Sequence, residues 1–221
     1  MGTKLLWRAL GAVTIMAGAG LIAAVTALPA EAAVNLTLEN PGSQTFQQTQ
    51  NNPCIFGGAS CNNPGGFAFT LWNNSAAETG TSTSTYTASQ LTTEAGSNAF
   101  WLGIDVNVAA GNDTDTMVSF FVKDLTTSTT LFQFTTSTLL AVLNNGNGRS
   151  DDLLKGIDLT GITGADQIQF QVTMSGTTDG TEQFFLISAN ATPVPEPASL
   201  AIFGAALVGV GLTLKRRRKA A

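Results

Sequence analysis

The sequence predicts an all-β protein, an antiparallel β-sandwich of jelly-roll or immunoglobulin-like type, with an N-terminal signal peptide and a single C-terminal transmembrane helix. Three observations carry that expectation. Apolar and polar residues alternate in short runs through the middle of the chain. Clusters of Asn, Gly, Pro and Asp separate those runs. Of 221 residues, 43% are hydrophobic and 11% charged, and seven of the ten Lys and Arg lie at the two ends.

The chain divides into residues 1–32, 33–192 and 193–221. At the N-terminus, Lys4 and Arg8 form a positive region, and Ala9 to Leu28 is apolar or small and uncharged. Pro29 breaks a helix there. Ala30-Glu31-Ala32 is an A-x-A site, so a signal peptidase is expected to cut before Ala33 after delivery through the Sec translocon. The alternative is a permanent anchor, since the apolar run is long for a signal peptide.

Residues 33–192 are expected to be the exported sandwich. Leu102, Ile104, Val106 and Val108 alternate with smaller or polar residues. Val118, Phe120 and Val122 do so next, then Ile168, Phe170, Val172 and Met174 between glutamines. Period two with one apolar face is the pattern of a half-buried antiparallel strand. Weaker strands are expected at 66–72, 81–88, 130–134 and 183–189. The run 138–143 fits either a strand or a short helix. Turns are expected at 62–66, 110–113, 144–148 and 178–180, where Asn, Gly, Pro and Asp gather. Trp72 and Trp101 read as core packing, with a sugar-stacking role as the alternative.

Charge and composition exclude several functions. Between Ala33 and Val194, thirteen Asp and Glu face only Lys123, Arg149 and Lys155, which is no surface for a phosphate backbone. No nucleic-acid partner is expected. The chain has no histidine, so His-dependent triads and His-ligated metals are excluded. No nucleophile elbow, phosphate-binding glycine loop or metal-ligand spacing appears, and the chain is expected not to be an enzyme. Paired carboxylates acting on glycosides stay open as an unfavoured alternative.

Cys54 and Cys61 are an even pair at short spacing. In an exported protein they are expected to form a disulfide, with Gly57 and Gly58 letting the loop close. The chain-entropy account assigns so small a ring ~2.5 kcal/mol. Asp113 and Asp115 in one turn, and Asp151 and Asp152 after an Asn-Gly-rich stretch, are the candidate metal ligands. Hard oxygen donors on loops suit Ca²⁺, although neither run has EF-hand spacing. The alternative is solvated turns. No other cofactor is expected. The Thr- and Ser-rich runs 81–87 and 126–130 fit exposed strand or loop, or else hydration and O-glycosylation.

At the C-terminus, Pro195-Glu196-Pro197 precedes an uncharged stretch from Ala198 to Leu214. As a helix that stretch would reach ~25 Å at ~1.5 Å per residue, near the lower limit for a bilayer. Lys215, Arg216, Arg217, Arg218 and Lys219 close it as a basic stop-transfer tail that stays cytoplasmic. The sandwich then lies on the other side of the membrane.

These three parts, in this order over Val194 to Ala221, resemble the PEP-CTERM sorting signal of Gram-negative bacteria. The resemblance implies recognition by an exosortase, a membrane-embedded cysteine peptidase, and processing near Pro195-Glu196-Pro197. It also implies an inner-membrane-anchored precursor that passes to the cell surface or extracellular matrix, in the company of exopolysaccharide and biofilm. Two prolines keep the backbone extended and unpaired, as a peptidase substrate must be. The expectation is therefore an exported, non-enzymatic surface or matrix protein. The alternatives are a Ca²⁺-dependent carbohydrate-binding module and, less favoured, a glycan-active enzyme.

Overall fold

The computed structural model describes residues 32–72, 80–108, 115–143, 148–176 and 180–191. The expected signal peptide and transmembrane helix, and the turns at 110–113, 144–147 and 178–179, lie outside the described residues. Among the described residues no helix is long and apolar enough to cross a membrane.

Strands β1 (Val34–Asn35), β2 (Thr37–Glu39), β3 (Cys54–Gly57), β4 (Thr70–Leu71) and β5 (Gly80–Thr87) lead to helix α1 (Ala88–Ala95). Then come β6 (Ala99–Asp105), β7 (Thr116–Asp124), β8 (Thr129–Phe134) and β9 (Thr138–Leu139). The last three are β10 (Asp152–Asp158), β11 (Gln167–Ser175) and β12 (Gln183–Ser188). One sheet runs β1-β8-β7-β11-β5, with β9 on β7; the other runs β2-β10-β6-β12-β3-β4. Neither closes into a barrel.

The sheets are mixed, which corrects the all-antiparallel expectation. β1 pairs parallel with β8, and β3 parallel with β4. Parallel pairing needs a long return path, and residues 58–69, which carry the second cysteine, supply one between β3 and β4.

Alternation drives the packing. Ile168, Phe170, Val172 and Met174 of β11 are all buried, and Leu102, Ile104, Phe184 and Leu186 answer from the other sheet. The Phe120 and Phe184 rings stack across the interior, centroids 6.0 Å apart and 13° between planes. Phe56 meets Phe184 edge-on and stacks on Trp72. Such pairs add about 0.5–1.5 kcal/mol each beyond their buried area. Both expected tryptophans pack as core or cover: Trp72 is buried just after β4, and Trp101 lies in β6.

Two local departures from simple alternation have clear causes. In β7 the inward residues are Met117, Phe120 and Val122, not Val118. The register against β11 slips between Thr173 and Met174, which leaves Val118 unpaired at a bulge and sends Met117 inward. The run 81–88 ends as a strand and becomes α1. Thr87 caps that helix: its side chain accepts from Gln90 N, while Gln90 Oε1 accepts from Thr87 N at 2.9 Å. This is a capping box.

The outer faces of the two sheets differ. Behind β6, β12 and β10 lies a second apolar cluster of Phe46, Cys54, Leu153, Phe185 and Ile187, with Phe69 and Trp101 packed on it. Gly103 is required there, because a Cβ would come 2.5 Å from the Phe185 ring. On the other sheet, Thr83, Gln171, Phe121, Gln133 and Asn35 form one row across β5, β11, β7, β8 and β1. Gln133 Nε2 donates to Asn35 Oδ1, and Lys123 Nζ donates to Gln171 Oε1 at 2.6 Å.

Candidate functional site

Three places bear on function: a buried acidic end of the sandwich, the cystine loop, and a groove along the edge of β5.

The acidic end gathers some of the expected metal ligands into structural work. Asp151 is fully buried. Its Oδ1 accepts from Gln44 Nε2 at 2.8 Å and Leu143 N at 3.0 Å, and its Oδ2 accepts from Val106 N at 2.9 Å. One carboxylate thus ties three chain segments together through charge-assisted bonds. Asp152 Oδ2 accepts from Ala141 N at 2.7 Å. Burial pushes the Asp152 carboxyl up to about 6; the Ala141 N–H opposes this and the nearby Asp151 charge adds to it. Asp115 is also buried, and its carbonyl holds Leu140 N. Asp113 lies outside the described residues. Among the described residues, no three acids or cysteines are placed so as to hold a metal ion.

Cys54 and Cys61 are joined by a disulfide, with Cα atoms 6.0 Å apart. A Cβ on Gly57 would lie 2.3 Å from Cys61 Sγ, so the bridge passes where only glycine leaves room. Asn63 completes the loop by acting as a substitute strand: its Oδ1 accepts from Cys54 N, and its Nδ2 donates to Cys54 O and Phe67 O. Gln183 Nε2 donates to Ser60 Oγ and ties the loop to β12. Two further bonds hold the end of this segment against β5, Thr70 Oγ1 donating to Thr83 O and Tyr86 Oη donating to Ala68 O.

A groove of about 290 Å³ runs between that segment and the β5 edge. Phe69, Thr70, Thr83, Thr85, Tyr86 and Gln90 are among its walls, and no lining residue is charged. Ala88 N donates to Asp166 O, which sets the phase of the β5–β11 ladder. Even-numbered residues of β5 therefore bond to β11, and odd-numbered ones turn their N–H and C=O outward. Two of those outward groups are taken: Thr83 O accepts from Thr70 Oγ1 at 2.8 Å, and Thr87 N donates to Gln90 Oε1. Between them, among the described residues, no hydrogen bond claims Thr85 N–H or C=O. Gln90 is equally poised: the cap holds its Oε1, and its Nε2 donors have no partner among the described residues. Tyr86 lies beneath, its hydroxyl donating to Ala68 O at 2.8 Å and accepting from Ser84 Oγ at 2.9 Å. Burial raises the Tyr86 phenol to about 12, against the opposing Ser84 bond.

The sequence readily marks 81–87 as hydroxyl-rich, but not as a groove wall. The one signal was Thr87-x-x-Gln90, which announces a helix start and so ends the strand there. The hydroxyl run 126–130 proves to be a turn and strand start, with Asp124 accepting from Thr126 N and from Thr127.

Pro195, Glu196, Pro197 and the basic residues 215–219 lie outside the described residues, and the comparison with known families bears on them directly. Residues 193–219 match the family described as the PEP-CTERM protein-sorting motif. No curated protein and no solved structure matches the chain. The family match spans the proline pair, the apolar stretch and all five residues of the basic tail in one block. The chain carries the PEP-CTERM protein-sorting motif, which marks it as an exported, exosortase-processed surface protein.

Proposed function

We propose that this is a non-enzymatic surface or matrix protein, made as an inner-membrane-anchored precursor and released from its tail near Pro195-Glu196-Pro197 by an exosortase. The N-terminal 32 residues serve as the signal peptide, and exopolysaccharide is the surrounding material. The sorting motif at 193–219 carries the reading. The sandwich supports it in kind: one sheet face carries Thr, Gln and Asn around Phe121 and Lys123, and such amides and hydroxyls hydrogen-bond hydroxyl-rich polymers.

Cell fractionation of a Pro195→Ala/Pro197→Ala variant tests the sorting step. A helix-permissive spacer should hide the processing site, so the variant is expected to stay with the inner-membrane fraction while the parent protein leaves it. Equal release of both proteins overturns the role given to the proline pair.

A further inference from the structure

We propose that the groove beside β5 is a binding site for a neutral saccharide unit, held by Thr85 and Gln90 without a metal ion. The inference deepens the matrix reading and rests on it for the supply of polysaccharide.

The groove offers donors and acceptors of both kinds and no charge. Thr85 contributes an outward N–H and C=O side by side, the Gln90 amide contributes two N–H donors, and the hydroxyls of Thr83 and Thr85 add exchangeable partners. Vicinal sugar hydroxyls need that mixture, since each both donates and accepts. Phe69 and Ala68 are also among the lining residues, while the Phe69 side chain packs on the second apolar cluster, so the recognition proposed rests on the polar groups. An anion or cation finds no countercharge in the lining. A purely apolar ligand would strand the Thr85 and Gln90 groups without partners, at a cost of about 1–3 kcal/mol each.

Geometry also argues against a peptide strand. Strand addition needs several consecutive free backbone groups on an edge. Here Thr70 occupies the edge at Thr83, and Gln90 occupies it at Thr87. One residue, Thr85, is left between two blocks. The groove's volume lies near the lower end, about 300 Å³, of small-molecule sites, which suits one or two sugar rings. Its donors are already fixed before a ligand arrives: Gln90 by its cap, Thr85 by the ladder to β11. Pre-organisation of this kind lowers the ordering cost of binding.

The test uses the purified full chain in detergent, with glucose, galactose, N-acetylglucosamine and cellobiose as probes, followed by saturation-transfer NMR and titration. At least one neutral sugar should saturate the protein, and chelation with EDTA should leave the affinity unchanged. Thr85→Pro removes an N–H that faces away from β11, which an edge position tolerates. Gln90→Glu keeps an oxygen for the Thr87 cap and removes the Nε2 donors. Each variant is expected to weaken binding about three- to tenfold, the size of one lost hydrogen bond, with thermal unfolding unchanged. Four results overturn the proposal: no sugar binds, binding is lost on chelation, both variants bind as the parent does, or a Thr-Ser-Thr-Ser-Thr-Tyr-Thr peptide binds where sugars do not. A protein that loses its tail and stays in the matrix, yet fails these tests, ends the groove proposal and leaves the matrix reading intact.

Discussion

Phe121 and Phe185 both point away from the interior, one from each sheet, and their surroundings are opposite. Phe185 is fully buried in a second apolar layer with Phe46, Leu153 and Ile187. Phe121 is half-buried, flanked by Gln171 and Gln133, with Lys123 Nζ 5.4 Å from its ring centre. One sheet is thus covered on both faces, by Phe46 and the segment stapled with a disulfide, and the other keeps a face of amides and hydroxyls around Phe121 and Lys123. An outward position on a strand does not define its environment; what the rest of the chain lays over it does.

The sharpest way to break the comparison is to truncate both rings. Phe185→Ala is expected to cost about 3–5 kcal/mol of unfolding free energy, as buried Phe truncations do. Phe121→Ala should cost less than about 1 kcal/mol, read by the same chemical denaturation. Equal losses would erase the distinction between the faces.

Removing the staple should come next. A Cys54→Ser/Cys61→Ser variant is expected to lose about 2–3 kcal/mol. It should also loosen residues 58–69, and hydrogen exchange there should accelerate more than in β11.

A smaller effect concerns the acidic end. The folded Asp152 carboxyl titrates at about 6 against an ordinary value of 3.8, so between those pH values the folded state holds a proton that the unfolded chain has released. Its contribution to stability therefore falls as pH rises through that window. Relative to Asp152→Asn, the parent protein should gain about 1 kcal/mol between pH 7 and pH 5. Asp158 shifts the other way, its carboxyl held low chiefly by Thr160. Asp124 also lies low: burial raises it, but bonds from Thr127 and Thr126 outweigh that. Stability from those two is present above their ordinary value and is lost as pH falls through their lowered ones.

The smallest effect belongs to the rim of the covered face. Lys155 Nζ lies 2.7 Å from Glu39 Oε2 and 4.4 Å from the Trp101 ring centre. The pair is partly exposed, and Lys155→Ala should cost no more than about 1 kcal/mol.

Much of this was legible in the sequence. The glutamine-spaced run 168–174 gave β11 and its buried face, because Gln alternating with Ile, Phe, Val and Met fits a half-buried strand alone. The Phe-Phe-Leu-Ile run at 184–187 is a continuous apolar stretch, the mark of a strand buried on both faces. What covers it was not legible, since Phe46 and the β3 residue Cys54, paired with Phe185, lie more than 125 residues before it in sequence. Val118 was misplaced because a bulge shifts phase by one residue, and nothing in the local pattern announces it. Of the acids, Asp151 looked like a loop ligand. N–H groups of residues 44, 106 and 143 converge on it, which only the tertiary fold assembles. The groove escaped notice for the same reason: Phe69 and Thr85 are sixteen residues apart in sequence and line one groove because Ala68 and Thr70 hydrogen-bond to Tyr86 and Thr83 of β5.

A face of amides and hydroxyls around Lys123 suits the polysaccharide-rich exterior proposed above, and on that proposal the protein reaches it only once the tail is removed. The intact mass of the protein recovered from the extracellular matrix of its own cells tests this most directly. The expected species begins at Ala33 and lacks Lys215 to Lys219, with those residues retained in cells that lack the exosortase. Matrix protein that still carries its terminal basic cluster, with or without the peptidase, would contradict it.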